Sequence, residues 1–193
     1  MILYQSYLRD IANRNNFRID SAQTRVLNEN KSIFSSKDSY DLFLSHSSLD
    51  KDLIITLVNL FNNAGYSVYV DWIMDKQLDR SNVTRNTAET LRQRMRNARG
   101  LAYVSTSNTT ASKWCPWELG YVDGEKGGKC AILPVLNAAS SSFIGQEYLG
   151  LYPYITYETM QGTGEHNFWI EEQNGDYVVL SDWLKGMKPI KRS

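Results

Sequence analysis

Two cysteines and two histidines are all that the 193 residues contain. Cys115 and Cys130 have neither the spacing of a zinc ribbon nor that of a redox CxxC pair, so two reduced thiols in a cytosolic protein are the simplest account. His46 and His166 lie far apart, and no metal cluster is readable. Neither sign of charge is in excess: Lys+Arg and Asp+Glu both number 21, for a formal net charge of zero. A duplex-DNA binder usually carries a basic surplus. The clustered Arg80, Arg85, Arg92, Arg94, Arg96 and Arg99 read as a solvated helix face. No apolar run approaches the ~20 residues of a membrane span. Met1 to Ser6 lacks a basic region followed by an apolar core, so no signal peptide is expected. Also missing are the GxxxxGK[ST] phosphate loop, the GxGxxG dinucleotide fingerprint and the GxSxG nucleophile elbow. The expectation is a cytoplasmic protein with no nucleic-acid partner, no membrane partner, no metal and no bound cofactor.

What is present is a globular composition, 42% hydrophobic and 22% charged, which excludes a disordered chain. A chain of this length buries roughly 70% of the surface that its unfolded form exposes, so it folds without staples. Leu3, Tyr4, Tyr7, Leu8 and Ile11 recur at helical spacing and predict an amphipathic helix. The polar stretch from Asn13 to Asp38 reads as an extension. From Tyr40 the pattern alternates. Tyr40–Leu44 reads as a strand. Leu53, Ile54, Leu57, Val58, Phe61 and Ala64 share a helix face that ends at Gly65. Tyr66–Val70 is the next strand. A long polar loop from Asp71 to Arg80 leads to Ser81 or Asn82, either of which can cap a helix running to about Ala98. Leu101–Val104, Ala131–Leu136 and Tyr154–Tyr157 supply further strands, and Trp114–Tyr121 opens another helix with Pro116 in its first turn.

Strands alternating with helices imply right-handed crossovers and a doubly wound parallel sheet, expected in the order 2-1-3-4-5. Near the end, Asn174-Gly175 between apolar runs predicts a β-hairpin, with a short helix over Leu180–Leu184. The expected organisation is an N-terminal helical extension (1–38), an α/β domain (39–160) and a C-terminal hairpin extension packed on it (161–193).

Ligands of doubly wound sheets bind beyond the carboxyl ends of the strands, where the strand order reverses. Three segments converge there: Ser45-His46-Ser47-Ser48, the loop from Asp71-Trp72, and Trp114 to Glu118. Glu118, placed in a first helical turn, reads either as a catalytic carboxylate or as a plain complement to the helix dipole. His46 alone reads as a loop hydrogen-bonding group. Trp72, Trp114 and Trp117 individually read as core. Around one crevice they also read as aromatic faces for stacking on a nucleobase or pyridine ring.

These residues resemble a known family. Tyr40-Asp41-Leu42-Phe43-Leu44-Ser45-His46-Ser47 looks like the first strand and loop of TIR domains, and Val68-Tyr69-Val70-Asp71 like their second strand. Ser112-Lys113-Trp114-Cys115-Pro116-Trp117-Glu118-Leu119 is similar to their Ser-x-Trp-Cys-x-x-Glu-Leu signature. Asp71 to Tyr121 looks like small stand-alone bacterial TIR proteins. The tail with Tyr148-Leu149-Gly150 resembles the TIR component of Thoeris anti-phage systems. Leu78-Asp79-Arg80-Ser81-Asn82 departs from the family by lacking its glycine turn.

The resemblance implies a flavodoxin-like fold and cleavage of the nicotinamide–ribose bond of NAD, with NAD as substrate rather than cofactor. It makes Glu118 the catalytic residue and assigns Ser45, His46, Asp71, Trp72, Arg80 and Trp114 to the substrate. The product is ADP-ribose or a cyclic or conjugated form acting on a downstream effector, with self-association through TIR surfaces. Two other readings stay open: an inactive adaptor that assembles with other TIR domains, and a nucleotide N-glycosidase or transferase.

Overall fold

The computed structural model describes residues 1–14, 39–74, 84–137 and 147–191. Its centre is a mixed sheet. In chain order the described elements are β1 (Leu3–Tyr4), α1 (Gln5–Arg14), β2 (Tyr40–Ser45), α2 (Lys51–Asn63), β3 (Val68–Tyr69), α3 (Asp71–Met74), α4 (Arg85–Asn97), β4 (Ala98–Ser105), α5 (Trp114–Lys126), β5 (Cys130–Leu136), β6 (Tyr154–Thr159), β7 (His166–Glu171), β8 (Tyr177–Val179) and α6 (Leu180–Leu184). The strands lie side by side as β3-β2-β4-β5-β6-β7-β8. From β3 to β6 all neighbours are parallel, whereas β7 and β8 are antiparallel additions.

The parallel strands are buried on both faces, which is why they read as unbroken apolar runs. On one face α1, α2 and α6 pack over Leu42, Leu44, Ala102, Val104 and Leu133. On the other, Leu91 and Met95 of α4 and Cys115, Leu119 and Val122 of α5 cover Phe43, Leu101, Tyr103 and Ile132. Phe61 stacks on Phe168 with ring centroids 3.9 Å apart, tying α2 to β7. Burying such a ring contributes roughly 1.5–3 kcal/mol.

Two local expectations change. Leu3 and Tyr4 are not in the first helix. They form β1, parallel to Val135 and Leu136 of β5. Met1 carbonyl accepts from the Tyr157 N–H, and the Met1 ammonium pairs with Glu158, so this segment bridges β5 and β6. A ladder position outweighs two residues' helical spacing because it satisfies their backbone polar groups. The cap foreseen at Ser81 or Asn82 falls outside the described residues. Thr84 caps α4, its Oγ1 accepting from Thr87 N–H at 3.0 Å.

At the C-terminal end, the loop over Gln173-Asn174-Gly175 closes the β7–β8 hairpin. Gly175 takes φ 85°, the left-handed position of a three-residue hairpin loop. The β6–β7–β8 meander continues the main sheet through its own ladder.

Candidate active site

The carboxyl end of β2 and the start of α5 meet over β4. Ser45 closes β2 and is register partner to Tyr103 on β4, so the two side chains emerge side by side. Ser112 accepts from Cys115 N–H through its Oγ at 3.3 Å and sets the start of α5. The helix begins at Trp114, which makes Glu118 its fifth residue. Glu118 therefore lies past the first turn, where a dipole role is strongest, and that role no longer explains it.

Glu118 is completely buried, and Ser45 Oγ donates to its Oε2 at 2.6 Å. A buried carboxylate is costly without donors, and a charge-assisted hydroxyl bond of this length is among the stronger compensations. Tyr103 is buried beside it. Its hydroxyl is pushed well above the ordinary phenol range, first by burial and then by the neighbouring Cys115, Tyr148 and Glu118 groups. Tyr103 thus keeps its proton.

His46 is buried, and its protonation is legible from its partners. Trp72 Nε1 can only donate, and it lies 2.9 Å from His46 Nε2. That nitrogen must accept, so Nδ1 carries the proton and donates to the Leu44 carbonyl at 2.8 Å. Buried Asp71 places Oδ1 3.7 Å from the same Nε2. Lys51 Nζ sits 5.5 Å above the Trp72 ring. His46 is therefore a neutral bracket that orients Trp72.

Trp114 is half-buried and meets Trp117 edge-to-face at 5.4 Å. Trp117 turns towards α4: it stacks on Tyr121 at 6.0 Å, with the Arg92 guanidinium 5.4 Å from its ring. Ser45 and Glu118 are brought into contact, as are His46, Asp71 and Trp72. Arg80 lies outside the described residues.

One position escaped the sequence reading. Asp50 is buried and joins the loop after β2 to the loop after β4. It accepts from Thr106 Oγ1 at 2.7 Å and from Asn108 Nδ2 at 2.6 Å. Thr109 Oγ1 accepts from Thr106 N–H at 3.0 Å. The two loops that border Glu118 are thereby fixed to each other. The only signal was an acidic residue before a helix, which reads first as a cap, yet its side chain makes no cap bond.

Among the described residues, no group of three or more His, Cys, Asp or Glu side chains is placed to hold a metal ion. Cys115 and Cys130 are buried and unbridged. Burial, with help from Asp123, pushes the Cys130 thiol up to about 12. No described helix is long and apolar enough to cross a membrane. The site holds the Glu118 carboxylate at a fixed position, flanked by the Ser45 hydroxyl and the neutral Tyr103 phenol. Such an arrangement suits stabilisation of positive charge on a sugar.

Comparison with known proteins agrees with the motifs. The TIR domain model matches residues 42–167. A probable 3' cyclic ADP-D-ribose synthase, ThsB', from Bacillus cereus (strain MSX-D12) is 43% identical over 185 residues, 95% of this chain and 95% of that protein. A probable 2' cyclic ADP-D-ribose synthase, TcpO, from Methanobrevibacter olleyae is 31% identical over 136 residues, 67% of this chain and 35% of that protein. The crystal structure of the TIR domain of the Toll-related receptor TRR-2 from Hydra magnipapillata superposes with a TM-score of 0.45 and 20% identity, over 60% of this chain and 82% of that one, a likeness too loose to argue from. By the extent of the family match and the identity along nearly its whole length, the chain belongs to the TIR domain family.

Proposed function

We propose that this protein breaks the nicotinamide–ribose bond of NAD and closes the remaining ADP-ribose into a cyclic product. The observation that carries the reading is the buried Glu118 carboxylate, fixed by Ser45 Oγ at 2.6 Å. Nicotinamide leaves NAD as a neutral base with the bonding electron pair. The ribose is left as an oxocarbenium-like cation. A carboxylate at that position stabilises the charge and binds ribose hydroxyls, as carboxylates do in glycoside hydrolysis. Its benefit depends on a dry, preorganised site. Trp72, oriented by His46, and Trp114, one helical turn before Glu118, would wall the nicotinamide side, and Asp71 and Arg80 would hold the rest of the dinucleotide.

A hydroxyl of the same molecule then attacks the cation and loses its proton, giving a cyclic ADP-ribose. The 43% identical relative named as a 3' cyclic ADP-D-ribose synthase favours this branch over attack by water. In a defence system of the Thoeris kind the cyclic product would act as the signal for a partner effector, with activity gated by self-association. Purified protein incubated with NAD and analysed by chromatography and mass spectrometry tests the reading. Nicotinamide release, with a second product one water lighter than ADP-ribose, is expected. ADP-ribose as the sole second product would replace the cyclase by a hydrolase. Absence of release at high protein concentration would leave a TIR domain that acts by assembly alone.

A further inference from the structure

The antiparallel end of the sheet has a face that the proposed chemistry does not use. Alternate residues along a strand share one face. Ile155, Tyr157, Phe168 and Ile170 point into the core with α2 and α6. Their neighbours point the other way. The register sets Thr156 beside Trp169 beside Val179, and Glu171 beside Tyr177. With Glu158 they line an open hollow of about 500 Å³. That volume lies within the usual range of binding sites, and no described helix covers it.

The lining has a definite chemistry. Trp169 and Tyr177 meet edge-to-face, with centroids 5.7 Å apart. Such an arrangement leaves an indole face and a phenol face for a cation. Glu171 stands opposite Tyr177 in the ladder, two residues along from Trp169, and Glu158 also lines the hollow. Glu158 already pairs with an ammonium, that of Met1, and Glu171 adds to the pull on the same group. The described residues that line the hollow include two carboxylates, Glu158 and Glu171, and no lysine or arginine. A hollow lined by two aromatic rings and two carboxylates is complementary to a cationic side chain.

We propose that this face docks a basic segment of a partner protein, with an arginine side chain laid on a ring face of the Trp169–Tyr177 pair and paired with Glu171. Arginine fits better than lysine, because its flat guanidinium stacks on an aromatic face while its N–H groups reach a carboxylate. The docking face is separate from Glu118 and does not rest on the NAD reading.

The test uses the full chain and two acetylated, amidated pentapeptides, Gly-Arg-Gly-Arg-Gly and Gly-Glu-Gly-Glu-Gly. Binding is followed by the NMR resonance of the Trp169 indole N–H and by calorimetry. The arginine peptide should move that resonance in a saturable way, and the glutamate peptide should not. Glu171→Gln should weaken binding at least tenfold, and raising the salt concentration should weaken it further. Trp169→Phe, which keeps a ring, should weaken it less than Trp169→Ala. Glu118→Gln should bind as the wild type does. Thermal melts establish that each variant is folded before its affinity is read. Equal binding by wild type and Glu171→Gln would overturn the proposal. So would a static indole resonance at millimolar peptide, or an indole shift produced by dilution of the protein alone, which would assign the face to a second copy of this chain.

Discussion

Ser45 Oγ and Glu118 Oε2 lie 2.6 Å apart although 73 positions separate the residues in sequence. Strand β2 supplies one and helix α5 the other, so the contact exists only once the crossover between them is complete. Ser45→Ala removes the donor and leaves a buried carboxylate oxygen short of a partner. It should cost about 1–3 kcal/mol of stability. In the NAD reading it should also lower kcat by roughly 10²-fold, with KM little changed, because the serine holds the carboxylate rather than the substrate. Nicotinamide release and a thermal melt measure the two effects separately. A rise in KM with kcat intact would make Ser45 a substrate ligand instead.

Asp50 should behave as a positioning residue of a different kind. Asp50→Ala frees Thr106 and Asn108 together and uncouples the loops after β2 and β4. We expect a loss on the order of 3 kcal/mol. Asp50→Asn keeps the shape and one acceptor, and should recover about half of that. Urea denaturation of the two variants beside wild type decides it, and equal stability of all three would remove Asp50 from the loop junction.

Two glycines make a paired prediction about packing. A Cβ on Gly100 would lie 3.1 Å from the Lys129 carbonyl oxygen and 3.3 Å from the side chains of Leu184 and Trp183. Gly100→Ala should therefore destabilise by roughly 1–3 kcal/mol, since α6 has to move away from β4. At Gly124, an exposed position inside α5, nothing lies within 4 Å of the same added carbon. Gly124→Ala should stabilise by up to about 1 kcal/mol through helix propensity. Melting temperatures that move in opposite directions are the expected result.

Alkaline pH should unfold the protein partly through Cys130. Burial raises its thiol to about 12 in the folded state. An unfolded cysteine titrates near 8.5. The folded state thus holds the proton more tightly. Its contribution is complete below about pH 8.5 and is lost as pH rises towards 12. Tyr103, shifted upward by burial, acts in the same direction at higher pH. Replacing Cys130 with alanine should flatten the fall in stability between pH 9 and pH 11, read by urea midpoints across that range. An unchanged slope would mean that the thiol is not what titrates.

Much of this architecture was legible because the parallel strands and α2 carry strong local patterns. Leu53, Ile54, Leu57, Val58 and Phe61, read as one helix face, are all buried. The motif places the start of this helix at Trp114, where α5 begins, but Glu118 is its fifth residue and so lies just past its expected first turn. Leu3 and Tyr4 were beyond reach, since a two-residue strand has no period of its own and is defined by its partner. Tyr103 reads as an ordinary strand tyrosine, and only the register with Ser45 places it beside Glu118. Trp117 reads from the sequence as a core or crevice aromatic, and its packing partners Trp114, Tyr121 and Arg92 are visible only in the fold.

The two residues of β1 have a temporal consequence. Gln5 Nε2 donates to Asn137 Oδ1, and Leu3 and Tyr4 find their ladder partners at Val135 and Leu136, so each contact spans 132 positions. Closing so long a loop costs about 4 kcal/mol of chain entropy before any ladder bond offsets it. On a ribosome adding roughly 5–20 residues per second, the first strand emerges many seconds before the strand it joins. Leu3 and Tyr4 are thus made early and can be seated only after β5 has followed them out.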